Sequence, residues 1–391
     1  VHITNSSIIN NKANDGGVIS TGNDNVIELS NSSFEKNKAL NGDGGVISSN
    51  GTTTVTIHNS TLNTNGANGN GGVISGAIIV LENAILTNNT AFNGGAIYGK
   101  ANGIVNVSDS QFKGNNVSIN GSSIYTLSTL NVKDSIFESE NVRGNAAIYV
   151  KSNKKNIALV NNNMTGDLLD IYNDGGVFVT PTYLVFDNIT ADVFDKANLT
   201  ALLTDDNGNI IGSSTPIEGN VNGTAIEFVF NNTTNKFKGI HIPQSKGNYT
   251  ISGNYTSANE CNVTNGTLTV NTIPIDDIKI DINSKIYGNF SGNFTLIPVS
   301  TTGTVTIKVN GTKYAQVELV NGTGNWLFAN MTPGVYNVTF EYSGDNHYSP
   351  NSTSISVIIG KATADLKANV TNTTYGDNTI VKVNVTGVPG T

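Results

Sequence analysis

The amino-acid sequence predicts an all-β protein: a parallel, right-handed β-helix followed by tandem antiparallel β-sandwiches. Three observations support this prediction. A unit of about 25 residues repeats through the first 180 residues, longer strands separated by turn motifs follow, and a second repeat with an offset of 88 residues lies in the C-terminal half. At about 100 to 200 residues per domain, a chain of 391 residues has room for two to four domains.

The N-terminal repeat has three recurrent features. A four-residue step begins with Asn or Asp and ends in an apolar residue, an Asn follows three positions later, and a Gly-Gly pair comes later in the unit. Successive units start 24 to 28 residues apart. The recurrent later Asn residues are Asn11, Asn37, Asn65, Asn89 and Asn115, and the Gly pairs begin at Gly16, Gly44, Gly71, Gly94 and Gly175.

Each unit is too short to bury its own apolar face, so the copies must stack on one another. Short alternating stretches such as Val55-Thr56-Ile57 indicate strands, and no helical 3.6-residue stripe is present. We therefore predict a β-helix over residues 1–180, with about seven coils and a truncated N-terminus. The recurrent Asn would form an amide ladder, and the Gly pairs a corner that needs positive φ or close backbone approach. The leucine-rich repeat, the competing solenoid, requires a denser leucine pattern.

Beyond residue 180 the Gly-Gly period stops and the strands lengthen. Turn motifs such as Asn310-Gly311 and Pro333-Gly334 separate them, as in antiparallel sandwiches. Asp277-Ile-Lys279 recurs as Asp365-Leu-Lys367, an offset that suits an immunoglobulin-like domain of about 100 residues. The predicted boundaries are 181–273 and 274–360 for two immunoglobulin-like sandwiches, and 361–391 for the start of a further, incomplete repeat.

Composition excludes several function classes. Charged residues are only 13% of the chain, the net charge is −8, and Arg143 is the single arginine, so nucleic acid is not expected as a partner. No apolar run approaches the length of a membrane span. The one cysteine, Cys261, cannot form an internal disulfide, and the four histidines lack the close spacing of zinc ligands. No metal site and no cofactor are predicted.

The repeat motifs carry a family resemblance. The Phe34-to-Asn37 and Phe112-to-Asn115 units, together with Gly-Gly-Val-Ile and Gly-Gly-Ala-Ile, resemble the repeats of chlamydial polymorphic membrane proteins. They are still more similar to the adhesin-like surface proteins of methanogenic archaea, which join such a β-helix to immunoglobulin-like modules. This resemblance implies an extracellular, modular protein, anchored to the cell surface through a part of the parent chain outside this sequence and used for attachment to partner cells, surfaces or glycans.

Many β-helices are polysaccharide lyases or hydrolases. A glycoside hydrolase needs two carboxyl groups on either side of the scissile bond. Asp109 and Asp134, one coil apart, are the best pair, although both replace the repeat Asn and are expected to be structural. Arg143 has no acidic cluster beside it, as a calcium-dependent lyase would require. The segment Asp205-Asp206-Asn207-Gly208-Asn209 and the segment around Asp345 are interpreted as turns in place of calcium sites.

The sequence offers one candidate ligand face and several candidate glycosylation sites. Tyr98, Tyr125 and Tyr149 occupy the same repeat position on successive coils, so they form either a stacked aromatic ladder or a solvent-facing binding surface. Asn-x-Ser/Thr motifs outside the repeat are candidate glycosylation sites. They include Asn188, Asn248, Asn254, Asn310, Asn337 and Asn351.

Three function classes remain. The first is a non-catalytic adhesin, in which the β-helix binds surface glycans or proteins of partner cells and the sandwiches act as a stalk. The second is a subunit of an extracellular filament or sheath, in which the chain pairs with copies of itself through donated strands. The third is a β-helix polysaccharide lyase or hydrolase.

Overall fold

The structure, a computed structural model, describes residues 1–139, 146–166, 169–286, 288–361 and 363–386. Every regular element in these ranges is a β-strand, so the predicted all-β fold is confirmed. The chain divides into two compact units. The first comprises Val1–Ala191, Lys196–Ile242 and Asn248–Thr269, and the second comprises Asp192–Asp195, Pro243–Gly247 and Val270–Thr391.

The N-terminal strands are short and build a β-solenoid of about six turns. They are β1 (His2–Thr4), β2 (Ser7–Ile9), β3 (Lys12–Ala13), β4 (Ile19–Thr21), β5 (Val26–Ser30), β6 (Ser33–Glu35), β7 (Lys38–Ala39), β8 (Ile47–Ser49), β9 (Thr54–His58), β10 (Thr61–Asn63), β11 (Gly66–Ala67), β12 (Ile74–Glu82), β13 (Ile85–Thr87), β14 (Thr90–Ala91), β15 (Ile97–Ser108), β16 (Gln111–Lys113), β17 (Asn116–Val117), β18 (Ile124–Thr126), β19 (Thr129–Lys133), β20 (Ile136–Ser139), β21 (Ala146–Lys151), β22 (Asn156–Val160), β23 (Asn163–Gly166), β24 (Leu169–Asp174) and β25 (Val177–Phe178).

The later strands are longer and mostly pair antiparallel. They are β26 (Thr182–Phe186), β27 (Ile189–Asp192), β28 (Ala197–Thr204), β29 (Ile211–Ser213), β30 (Ile217–Val221), β31 (Thr224–Asn231), β32 (Lys236–His241), β33 (Gly247–Asn254), β34 (Cys261–Thr264), β35 (Gly266–Asn271), β36 (Asp277–Ile286), β37 (Gly288–Ile297), β38 (Thr304–Val309), β39 (Thr312–Glu318), β40 (Thr323–Met331), β41 (Gly334–Tyr342), β42 (Asn351–Ile359), β43 (Asp365–Val370) and β44 (Val381–Thr386).

Parallel pairing between equivalent strands defines the faces of the solenoid. One face runs β2-β6-β10-β13-β16-β20-β23, and a second runs β3-β7-β11-β14-β17. The remaining strands form a large sheet in which the long strands β12 and β15 each serve two faces. Inward residues at equivalent positions stack without exposure, as Phe34, Leu62, Leu86, Phe112 and Phe137 do. The recurrent apolar residue of each unit therefore forms an interior stack.

The recurrent Asn residues form the predicted amide ladder. The backbone N and Nδ2 of Asn37 both donate to Oδ1 of Asn65 at 3.0 Å, and the same pattern links Asn65 to Asn89 and Asn89 to Asn115. Each Nδ2 also donates to a carbonyl of the preceding coil, such as Leu62 O from Asn89 at 2.9 Å. These side chains are almost completely buried, so their polar groups must be satisfied within the protein.

The two glycines of each Gly pair have different roles. Gly94 has φ 62°, a conformation that L side chains rarely adopt. Gly95 instead lies so close to the next coil that a Cβ would overlap the Ser122 carbonyl oxygen. The prediction that Gly175-Gly176 forms the same corner was wrong. This pair comes after Tyr172, whereas the other pairs precede the equivalent residue, and Val177 pairs with Asn156 on a different face. Asn173 holds this turn, with Nδ2 donating to the Gly176 carbonyl oxygen at 2.9 Å.

The first sandwich closes the C-terminal end of the solenoid. Strand β29 pairs in parallel with β24, with Ile171 opposite Ile211, and so supplies a further rung. The Asn209 Oδ1 accepts from Met164 N at 3.1 Å, and its Nδ2 donates to Asn162 O at 2.8 Å. The buried Tyr255 hydroxyl bonds both to Asn173 Nδ2 at 2.7 Å and to a serine of β29. Solenoid and sandwich therefore share one packed junction within the first unit.

The first sandwich consists of the continuous path β27-β35-β33-β30-β31-β32-β28-β26-β34. Strand β31 turns the corner, since its first half pairs with β30 and its second half pairs with β32.

The second unit contains a sandwich of two sheets, β36-β37-β40 and β39-β38-β41-β42, around an aromatic core. Its hairpin β43-β44 forms a separate two-stranded sheet, and all of its residues are exposed.

Candidate functional site

The three predicted tyrosines lie in register on neighbouring strands of the solenoid. Tyr98 pairs with Tyr125, Tyr125 with Tyr149, and Tyr149 with Tyr172, which follows Ile171 just as the others follow an inward Ile. Their ring centroids are 5.3, 5.3 and 5.1 Å apart, and the rings are nearly parallel. These four residues are called the tyrosine stack below. The aromatic ladder considered from the sequence is therefore present.

Tyr172 was missed from the sequence because no Gly pair precedes it. The repeat position of the other three was found by counting from Gly-Gly-x-Ile or its degenerate forms, and Leu169-Asp170-Ile171 lacks that mark. The pair Ile171-Tyr172 repeats the pair Ile148-Tyr149. This recurrence is the sequence signal that could have identified Tyr172.

The hydroxyl groups of the tyrosine stack remain protonated over the physiological range. Burial raises the pKa of Tyr125 to about 12, with further contributions from Tyr98 and from the Asp174 carboxylate. Burial also raises the pKa of Tyr149, whose hydroxyl donates to Asp174 Oδ2 at 3.3 Å. The pKa of Tyr98 is raised by burial and then by Asp43. The stack thus consists of neutral phenol groups, of which the Tyr149 hydroxyl already donates to Asp174.

Stacking limits which parts of the tyrosines a ligand could reach. Tyr125 and Tyr149 are only 7% and 8% exposed, because neighbouring rings cover both of their faces. A sugar ring could not stack on these inner faces. A ligand could contact only the outer edges of the stacked rings. These edges repeat along the solenoid at about the spacing of the coils.

The Asp109 and Asp134 pair occupies a structural corner. Both residues have positive φ, 49° and 50°, as do Asn59, Asn83 and Asn161 at the same repeat position. Hydrogen bonds from Asn161 Nδ2, at 2.6 Å, and from Lys133 lower the pKa of Asp134. A glycosidase acid requires a raised pKa, so this geometry does not favour the hydrolase alternative. Arg143 lies outside the described residues.

Both segments interpreted as turns are turns in the structure. Asp205 Oδ1 accepts from the backbone N of Asn207 at 3.0 Å and of Asn209 at 2.9 Å. Burial would raise the pKa of Asp345, but backbone hydrogen bonds, including those from His347 and Tyr348, outweigh it and lower this pKa to about 2. In the described part of the chain, no group of three possible His, Cys, Asp or Glu ligands could hold a metal ion.

All six candidate glycosylation asparagines are exposed, and the side chains of three of them, Asn188, Asn310 and Asn351, accept hydrogen bonds from the backbone. Asn188 Oδ1 accepts from Thr267 N at 2.9 Å, and Asn310 Oδ1 accepts from Asn337 N at 2.9 Å. In each of these contacts the amide oxygen is the acceptor. The amide nitrogen, to which a glycan would be attached, takes no part in the contact. Glycosylation at Asn188, Asn248, Asn254, Asn310, Asn337 and Asn351 stays a prediction.

A second outward face was not predicted from the sequence. Strands β12, β15, β19 and β22 line an open hollow of about 280 Å³ on the outer side of their sheet. We call it the outer-sheet hollow. The recurrence of Asn-Val-Ser and Asn-Val-Lys at Asn106 and Asn131 is the signal that could have revealed it. The outward residues lining the hollow are Val80, Glu82, Asn106, Ser108, Asn131, Lys133, Ala158 and Val160.

No family model matches the chain, and no curated protein matches it. Solved structures that match include the Yersinia pseudotuberculosis adhesin InvE, at 15% identity and TM-score 0.28, over 45% of this chain and 58% of that chain. The Escherichia coli adhesin FdeC matches at 12% identity and TM-score 0.25, over 52% of this chain and 72% of that chain. The Clostridium thermocellum CbhA fibronectin(III)-like modules match at 10% identity and TM-score 0.20, over 45% of this chain and 93% of that chain.

The chain therefore spans little more than half of the Yersinia adhesin. The structural neighbours are bacterial adhesins and immunoglobulin-like or fibronectin-like domains, and their low identities and TM-scores give no argument about what this chain binds. In the described residues, no helix could cross a membrane.

Proposed function

We propose that this chain is a non-catalytic, adhesin-like protein of the cell surface. In this proposal the solenoid presents its outer faces to surface glycans or proteins of partner cells, and the sandwiches serve as a stalk. The observation that carries the proposal is the tyrosine stack, an in-register row of neutral hydroxyl-bearing side chains on a rigid face. A row of this kind suits an extended, hydroxyl-rich ligand better than a reaction at one point.

The experiment uses the full chain, because the solenoid and the first sandwich share their junction. Binding to a panel of whole cells and immobilised glycans is compared between the wild type and the triple variant Tyr98→Phe, Tyr125→Phe, Tyr149→Phe. Phenylalanine keeps the stacked rings and removes only the hydroxyls, so binding should fall while the fold is retained. Tyr183→Phe, the same change at an exposed residue of the first sandwich, is the control and should bind like the wild type.

Two outcomes would count against the proposal. Equal binding by the triple variant and the wild type would remove the tyrosine stack as the ligand face. Failure of the folded wild type to bind any cell or glycan would remove the attachment function itself.

A second candidate function, self-assembly into a filament, is favoured by the hairpin β43-β44. Leu366, Val370, Val381, Val383 and Val385 share one face of the hairpin, and each is more than half exposed. Such a two-stranded ribbon is marginal without a partner sheet.

The equivalent face of the hairpin β36-β37 is buried in the second sandwich. There Ile278 is 6% exposed, and Phe294 and Leu296 have no exposure. The comparison indicates that this face of the hairpin requires a covering sheet, and in the self-assembly function a sheet from another copy supplies it.

Sedimentation velocity over about a hundredfold range of concentration tests self-assembly. The wild type should associate, and Val383→Lys should remain monomeric because a charge cannot be buried in the apolar contact. Asn384→Lys places the same charge on the opposite face of β44 and should associate like the wild type. A wild type that is monomeric throughout would contradict this second function.

A further inference from the structure

We propose that the outer-sheet hollow is a binding site for a short, neutral oligosaccharide. This inference deepens the proposed attachment function by naming a ligand class for a second face of the solenoid. The hollow and the tyrosine stack lie on different faces, so each can be tested without the other.

The floor of the hollow is a straight row of four side chains. Val80 pairs with Asn106, Asn106 with Asn131, and Asn131 with Ala158, each on the next coil. At about 4.8 Å per coil, the row extends about 14 Å. On each strand, the residues immediately before and after the row residue point inward and are buried. The core beneath the sheet therefore holds the row in place. A ligand would therefore meet a preformed surface.

The centre of the row is an amide pair with unused hydrogen-bonding capacity. Asn131 Nδ2 donates to Asn106 Oδ1 at 2.8 Å, which fixes the orientation of both amides. Among the described residues, neither the Asn106 nitrogen nor the Asn131 oxygen has a protein partner. The pair thus offers donors and an acceptor side by side. A sugar hydroxyl both donates and accepts, so adjacent hydroxyls of one ring match this arrangement.

Apolar groups lie at both ends of the amide pair. Val80 lies one coil before Asn106, and Ala158 lies one coil after Asn131, with Val160 two residues further along the same strand. A pyranose ring carries C–H groups on its faces and hydroxyls on its edge. The hollow therefore has apolar contacts where the ring faces would lie and amides where the hydroxyls would lie.

The charges around the hollow argue for a neutral sugar. Glu82 lies 3.0 Å from His58 Nδ1, and Lys133 lies 3.2 Å from Asp134 Oδ2. In the described residues that line the hollow, Lys133 is the only cation, and its charge is already paired. A uronic acid would find no unpaired cation there and would meet the Glu82 carboxylate. An uncharged chain of about two or three rings fits the row of four residues.

The test is a titration of the full chain with neutral gluco-, manno- and galacto-oligosaccharides and with oligogalacturonate. Binding is measured by saturation-transfer NMR. The variant Asn106→Leu/Asn131→Leu keeps the side-chain size and removes the donors and the acceptor. It should bind at least about tenfold more weakly, the effect of losing about two hydrogen bonds. Asn14→Leu/Asn41→Leu, which changes another exposed and bonded amide pair, should bind like the wild type.

The proposal predicts saturable binding of at least one neutral oligosaccharide, lost in the Asn106→Leu/Asn131→Leu variant. Absence of binding by every neutral oligosaccharide at millimolar concentration would overturn it, and so would stronger binding of oligogalacturonate. Equal binding by the two amide variants would also overturn it. Attachment to cells through the tyrosine stack could persist in each of these cases, so failure of this inference is distinguishable from failure of the proposed function.

Discussion

Asn65, Asn89 and Asn115 show why one residue type recurs at one corner of each coil. The asparagine side chain accepts two hydrogen bonds at Oδ1 and donates from Nδ2 to the next amide and to a carbonyl, as Asn89 does. Glutamine is longer, and aspartate lacks the donor, so neither repeats this pattern. The ladder could be predicted from the sequence because each coil needs the same residue at the same position.

The variant Asn89→Ala should lower the free energy of unfolding of the solenoid by about 2–4 kcal/mol. It would leave the Asn65 amide and the Leu62 carbonyl without their buried partners. Hydrogen exchange of the solenoid amides measures the loss. Asn41→Ala, at an exposed amide, is the matched control and should cost less than about 0.5 kcal/mol. Equal effects of the two changes would contradict the account of the ladder.

The junction with the first sandwich contains a carboxyl group in an unfavourable environment. Burial raises the pKa of Asp170 to about 6. The hydrogen bond from Ile210 N, at 2.8 Å, lowers this pKa, and the nearby Asp205 carboxylate raises it further. Between pH 4 and 6 the folded state therefore binds more protons than the unfolded state. As a result, this group makes the fold less stable as the pH rises through that range, and the full cost is present above pH 6.

The variant Asp170→Asn should remove this cost and keep an acceptor for Ile210 N. At pH 7.5 the first unit should gain on the order of 1–2 kcal/mol, and at pH 4 it should gain nothing. Urea unfolding followed by circular dichroism at the two pH values measures the difference. The fluorescence of Trp326, the single tryptophan, reports the second unit and should keep its midpoint. A gain of the same size at both pH values would exclude the ionisation of Asp170 as the cause.

At the scale of elements, the corners of the coil were more predictable than the contacts between distant strands. The Gly pairs could be predicted because the first glycine answers a local need for positive φ and the second repeats the same close approach to the next coil in each unit. The pairing of β29 with β24 could not, because Ile211-Gly212-Ser213 has no local mark that distinguishes it from the neighbouring strands of the first sandwich. The turn at Asp205 was correctly predicted, but its neighbour Asn209 also bonds to Asn162 in the last coil, a contact that only the folded chain creates.

The variant Gly95→Ala should destabilise the first unit by at least about 3 kcal/mol. The added methyl group would overlap the Ser122 carbonyl oxygen, and the parallel coils cannot separate at one corner without lengthening their hydrogen bonds. Thermal unfolding followed by circular dichroism measures the effect. Gly22→Ala, where a Cβ meets no atom within 4 Å, is the control and should change stability little. Comparable losses in both variants would refute the close-approach argument.

At the scale of the whole molecule, the first unit combines two domains that the sequence pattern separates near residue 180. The strand lengths and turn motifs change there, and this change could be predicted. The packing across the junction could not, since it depends on buried groups such as Tyr255 and Phe178 that meet only after both parts have folded. A domain boundary in a sequence pattern therefore need not be a boundary between compact units.

A fragment of residues 1–180 should self-associate, whereas a fragment of residues 1–273 should be monomeric. The shorter fragment lacks β29 and so leaves the edge of β24 unpaired, next to the uncovered side chain of Phe178. Size-exclusion chromatography with light scattering distinguishes the two. Both fragments lack the hairpin β43-β44, so its proposed self-assembly does not affect the comparison. A monomeric, folded 1–180 fragment would show that the solenoid needs no cover from the sandwich.

The rung supplied by β29 also has a mechanical consequence. Backbone hydrogen bonds cross the junction, from Ile171 N to Ile210 O at 3.0 Å and from Ser214 N to Asn173 O at 3.0 Å. A flexible linker would let the solenoid swivel, but here any rotation requires these bonds to break. The junction is therefore stiff, and these backbone bonds carry a pulling force from the last coil to the segment at β29. Force applied to the first unit would therefore meet a hydrogen-bonded junction in place of two bodies on a flexible linker.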